Sequence, residues 1–123
     1  MADFAGTPAF VAYRDAFGGH PGEGVFTITL SSAAYAGGNL NLSSIAAKFR
    51  GANAQPQNFK HFDFRAHGSS GNCYLVLFTP AASPTWANLG TLKLFTATNT
   101  EAAGSLSLTV YGRFSCMTVG LNG

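Results

Sequence analysis

Charge is scarce in this chain. Only 10% of its 123 residues are Asp, Glu, Lys or Arg, against about 25% in an average soluble domain. The seven basic residues (Arg14, Lys48, Arg50, Lys60, Arg65, Lys93 and Arg113) are scattered, and the formal net charge is +2. A protein that grips a phosphate backbone carries a basic stripe or tail, so direct nucleic-acid binding is not expected. Asp15, Glu23, Asp63 and Glu101 are isolated in sequence, so no carboxylate pair for hydrolysis is legible. Cysteine is equally sparse. Cys73 and Cys116 are too few for a disulfide scaffold and form no C-x-x-C pair. Both fall in β-like runs and are expected to be free buried thiols rather than a disulfide.

No apolar run reaches transmembrane length, so membrane insertion is not expected. The first ten residues, MADFAGTPAF, lack a basic start and a long apolar stretch. They are not expected to be a secretory signal, and the sequon Asn41-Leu42-Ser43 is therefore expected to be silent. Catalytic signatures are missing too. The glycines of residues 17–24, FGGHPGEG, precede no clear helix and no Lys-Ser/Thr pair, so they do not read as a phosphate cradle. The HGSSG of residues 67–71 is not a G-x-S-x-G elbow, and it lies between strands where that motif needs a strand and then a helix. Neither an enzyme nor a cofactor is expected.

What the chain does have is apolar residues, 46% of the total with 11 Phe, and a period of two. The length suits one domain over residues 1–123 with a substantial core. Residues 59–67, FKHFDFRAH, place Phe62, Phe64 and Ala66 on one side and His61, Asp63, Arg65 and His67 on the other. Successive side chains of a strand face opposite ways, so this is a half-buried strand. Residues 25–30 alternate likewise, with Phe26, Ile28 and Leu30 inward. Residues 105–119 give the longest pattern, with Leu106, Leu108, Val110, Phe114 and Cys116 on one face. Ser105, Ser107, Thr109, Tyr111, Arg113 and Ser115 form the other, and Gly112 reads as a bulge or bend. Residues 9–14 and 91–98 add strands. Residues 73–79, CYLVLFT, read as a strand buried on both faces. Residues 31–41, 53–58 and 80–89 read as loops.

A short helix is expected over residues 45–50, capped by Ser43 or Ser44 and ended by Gly51. The sum is an all-β protein: an antiparallel β-sandwich or jelly roll of about seven or eight strands with one short helix. Its expected core includes Phe26, Ile28, Phe62, Phe64, Leu75, Leu77, Leu94, Leu108, Val110 and Phe114.

Two groups of residues stand out as candidate sites. His61, Asp63, Arg65 and His67 recur roughly every 6.6 Å along one strand face. The plain reading is a contact surface facing solvent or another subunit. The sharper one is a metal site, because the imidazoles of His61 and His67 with the Asp63 carboxylate are ligands for zinc, and His20 is a further donor. Trp86, with Tyr35 and Tyr13, reads either as an exposed anchor for a sugar or partner, or as a plug beneath a loop. A surface filled with Ser, Thr, Asn and Gly instead of ions is easy to desolvate, which points to self-association as a homodimer or homotrimer.

Residues 41–66, NLSSIAAKFRGANAQPQNFKHFDFRA, resemble the helix-then-strand passage in jelly-roll coats of small icosahedral RNA viruses. Residues 104–117, GSLSLTVYGRFSCM, are similar to the last long strand of such proteins. A shell domain is usually longer and follows a basic arm. The size here is closer to the protruding domain that some of these coats carry outside the shell. The resemblance implies a protein of the virion that makes dimer or trimer contacts at the capsid surface and attaches to a host receptor or glycan. It transfers no functional residue. The alternative is a small carbohydrate-binding, lectin-like β-sandwich.

Overall fold

The structure, a computed structural model, describes residues 2–14, 22–50, 55–68, 73–97 and 99–119. It is an all-β fold, mostly antiparallel, with eight strands among the described residues: β1 (Thr7–Arg14), β2 (Gly22–Ala34), β3 (Gly38–Asn39), β4 (Gln55–Gly68), β5 (Cys73–Thr85), β6 (Asn88–Ala97), β7 (Thr100–Glu101) and β8 (Ser105–Val119). A 3₁₀ turn, Ser43–Ile45, leads into the short helix α1 (Ala46–Arg50). The strand order is β1-β2-β8-β4-β5-β6-β3, with β7 on β6. Among the described residues, strands β4 and β5 pair only at Ala66–Tyr74 and His67–Cys73. The sheet therefore has two halves joined at one hairpin, an arrangement compatible with a sandwich. Asp3, ahead of β1, pairs in parallel with Asn39 and ties the last strand of the path back to the segment entering the first.

Both halves supply one core. Phe26, Ile28, Leu108, Val110 and Phe114 from β2 and β8 are buried with Leu89, Leu92 and Leu94 from β6. Phe78 of β5 meets Phe62 and Phe64 of β4 at 4.5 and 4.9 Å between ring centroids. Strands β2 and β8 are locked by a reciprocal exchange. Gly24 lies opposite Phe114, and Phe26 opposite Gly112. Each ring occupies the space where a side chain on the facing glycine would stand. Helix α1 contributes Phe49, which stacks on Trp86 at 5.6 Å and meets Phe114 edge-on at 5.3 Å.

Several sequence expectations are corrected. Gly112 carries no bulge, because its pairing with Phe26 and Phe64 continues across it and the missing side chain makes room for the Phe26 ring. Residues 31–34 extend β2, because Ala33 and Ala34 find partners in Leu106 and Ser105 once a bulge absorbs the extra residue. Pro56 lies inside β4, and Pro80 and Pro84 inside β5, rather than in loops. There β4 pairs only with β8 and β5 only with β6, so each strand has a side with no ladder for a proline to interrupt. The tight turn at Trp86–Ala87 replaces the long loop expected there. No serine side chain caps the helical segment. Instead the Asn41 side-chain oxygen accepts the Ser43 N–H at 3.0 Å.

The largest correction concerns β5. Tyr74, Val76 and Phe78 are half-buried, while Cys73, Leu75 and Leu77 are exposed, the leucines at 57% and 51%. The strand is covered on one face only, so Leu75 and Leu77 leave the expected core. Cys73 is a free, exposed thiol and not a buried one. Gly51 and His20 lie outside the described residues, as do the side chains of His61 and Cys116.

Candidate functional site

The outer face of β2, β8 and β4 carries the ionisable row. Alternation in β4 turns Phe62 and Phe64 toward the core and leaves Asp63, Arg65 and His67 exposed. Register places Asp63 opposite Arg113, Arg65 opposite Tyr111, and His67 opposite Thr109 on β8. Strand β2 adds Thr27 opposite Tyr111 and Thr29 opposite Thr109. Arg65 lies 3.9 Å from Asp63, and Arg113 pairs with Glu23. Charges thus alternate across three strands, and Asp63 is balanced by neighbours on two of them. Such exposed pairs contribute only about 0–1 kcal/mol.

At the other end of the row the charges stop. The His67 ring meets Tyr111 edge-on at 6.0 Å, and its Nδ1 lies 3.9 Å from the Cys73 sulfur. Beside them is a groove of about 390 Å³ lined by Thr29, Ser31, Ser107 and Thr109 together with His67 and Tyr111. A β-bulge adjoins it. Between Leu30 and Ala33 strand β2 advances three residues while β8 advances two, from Leu108 to Leu106. The extra residue is taken up with Ser32 in a left-handed conformation, φ 51°. The Ser32 N–H donates to Ser107 Oγ at 2.9 Å, and Ser105 Oγ donates to the Ser32 carbonyl at 3.4 Å. Bulges and left-handed non-glycine residues gather where a surface is shaped for a task.

The outer face of β5 and β6 differs in chemistry. Leu75 stands opposite Phe95, and Leu77 opposite Lys93. Phe95 in turn pairs with Glu101 of β7. The exposed Leu75 and Leu77, with the half-buried Phe95, therefore form an apolar patch flanked by one cation and one anion.

The aromatic candidates separate. Trp86 is buried against Phe49 and Phe114, so the exposed-anchor expectation is corrected: the indole covers more apolar surface inside than a turn position could offer outside. Tyr13 packs edge-on against Phe49 at 6.1 Å. The Tyr35 hydroxyl donates to Glu101 Oε2 at 2.7 Å and accepts the Leu94 N–H at 3.0 Å. Burial pushes the Tyr35 phenol up to about 12, against the opposing effect of the Leu94 N–H and with help from Glu101. Both tyrosines are structural ties. As for the proposed ligands, Asp63 and His67 belong to no cluster of three or more His, Cys, Asp or Glu among the described residues.

Two features escaped the sequence. The period of β8 puts Tyr111 on the outward row, but nothing local marks it as the wall of a groove, because the other walls come from β2 and β4. Leu75 and Leu77 sit in an unbroken apolar run, which carries no period to say that one face is open. Set against family models, curated proteins and solved structures, the chain matches none of them.

Proposed function

We propose that the chain is a non-enzymatic viral capsid module of protruding or spike-like type. Copies join as a homodimer or homotrimer through the outer face of β5 and β6. The outer face of β2, β8 and β4, with Asp63, Arg65 and His67 and the His61 position, is turned toward a host receptor. The observation that carries the reading is the exposed pair Leu75 and Leu77, beside the half-buried Phe95, in a chain with so little charge. Water-exposed leucines adjacent on one strand face are costly unless covered. A second copy is the occupant that fits, because a two-fold axis sets the same patch against itself and can bring Lys93 of one copy toward Glu101 of the other. The resemblance of residues 41–66 and 104–117 to jelly-roll coats supports the viral setting.

The test is sedimentation velocity on the purified chain at high micromolar concentration. A discrete dimer or trimer is expected, and a monomer would overturn the assembly reading. The hydroxyl-lined groove favours the second reading, a small lectin-like β-sandwich, which would act without assembling.

A further inference from the structure

We infer that the groove beside Tyr111 and His67 is a binding site for a neutral saccharide. The inference deepens the attachment role proposed for this face and rests on it.

Four observations converge. The groove, about 390 Å³, has the volume of a small-ligand site. Among the described residues no Lys, Arg, Asp or Glu lines it, so it offers no fixed charge to match one on a ligand. The hydroxyls of Thr29, Ser31 and Thr109 make no hydrogen bond among the described residues, so they are available as both donors and acceptors. Tyr111, 49% exposed, presents an apolar ring with a polar tip beside them. A sugar has the complementary surface, with an apolar C–H face to lie on a ring and a rim of hydroxyls to pair with Ser and Thr. An apolar ligand would leave those hydroxyls unpaired, and an anion would find no Lys or Arg among the described residues of the groove.

His67 adds direction. The Cys73 sulfur lies 3.9 Å from Nδ1, which leaves Nε2 as the ring nitrogen without a protein partner among the described residues and able to pair with a ligand. A sugar hydroxyl, which both donates and accepts, is a suitable partner for it. The Ser32 bulge adjoins the groove, and its left-handed conformation is held by hydrogen bonds to Ser107 and Ser105 of β8.

The experiment uses the full chain on an array of glycans ending in neutral hexoses and N-acetylhexosamines, with sialylated and sulfated glycans as the charged arm. Saturation-transfer NMR then follows with the best neutral binder. Binding to neutral glycans is expected, and Tyr111→Ala should weaken it about tenfold or more. Tyr111→Phe should keep most of it, since the ring face remains. Thr109→Val should also weaken it while preserving strand propensity and size. Circular dichroism on each variant ensures that the fold is intact. Silence across the array, binding confined to charged glycans, or full binding by Tyr111→Ala would each overturn the site. Sedimentation of the same samples keeps the readings apart. A monomer that binds sugar upholds the site and removes the assembly, whereas an oligomer that binds none removes the site and keeps the assembly.

Discussion

Strands β4 and β5 leave one hairpin with similar inner faces and opposite outer ones. Inside, Phe62 and Phe64 of β4 meet Phe78 of β5, and Val76 lies in the same row as Phe78. Outside, β4 shows Asp63, Arg65 and His67, while β5 shows Cys73, Leu75 and Leu77. The outer face of β4 is already compensated by Arg65, Arg113 and Glu23, and water can solvate the rest. The outer face of β5 has no such means, because half-exposed leucines gain only by being covered. Burial of the inner rows stabilises the monomer, and we propose that the uncovered outer row of β5 drives association.

The inner rows carry the largest expected effect. Phe64→Ala and Phe78→Ala should each lower unfolding stability by about 3 kcal/mol, the low end of the Phe→Ala range, because both rings are half-buried. Urea denaturation monitored by circular dichroism checks this. A loss below about 1 kcal/mol at either position, in the range of a surface change, would break the equivalence of the two inner faces. Gly112→Ala comes next. Its new methyl must displace the Phe26 ring, and overpacking of that kind costs about 1–3 kcal/mol. The same denaturation experiment should leave Gly104→Ala free of any clash, since nothing stands within 4 Å of the added carbon, and only its left-handed φ of 82° remains as a cost.

Tyr35 links the β6 side of the molecule to pH. Its folded-state phenol is raised to about 12 from an unfolded value of 10.0. Between those values the unfolded chain has lost its proton and the folded one has kept it, so stability is full below pH 10 and falls as pH rises toward 12. Other groups also titrate there, so the checkable quantity is a difference. Thermal melts of wild type and Tyr35→Phe should converge as pH rises through this window, because the variant lacks the ionisation. Parallel curves would mean that the hydroxyl is not held as described.

The smallest effect belongs to the outer row of β4. Asp63→Ala should change stability by no more than about 1 kcal/mol, since its partners are exposed. A larger loss would make the row structural and sharpen the contrast in the wrong direction.

How much of this was legible follows from the same contrast. Strand β4 is readable because ions and phenylalanines alternate, and the period itself names the two faces. Strand β8 is readable for the same reason, with Ser, Thr, Tyr and Arg marking the outside. Strand β5 is not, because CYLVLFT is apolar at nearly every position, and an unbroken apolar run looks doubly buried whether or not a second layer exists. The long extensions of β4 and β5 through Pro56, Pro80 and Pro84 were hidden for a related reason. Proline argues against a strand only when both its sides are paired, and pairing is a property of the fold. The groove is lined from three strands, β2, β4 and β8, and their register has no local signature. Trp86 sits in a turn by sequence and in the core by packing, because Phe49 arrives from a distant helix to cover it.

The most direct measurement compares two double variants by sedimentation equilibrium alongside wild type. Leu75→Ser with Leu77→Ser removes the apolar outer row of β5 and should weaken self-association roughly a hundredfold, leaving the monomer's thermal midpoint nearly unchanged. Asp63→Ala with Arg65→Ala removes the charged outer row of β4 and should leave the dissociation constant as in wild type. If the leucine variant associates as tightly as wild type, or the charge variant is the one that falls apart, the outer face of β5 is not the surface through which copies of this chain meet.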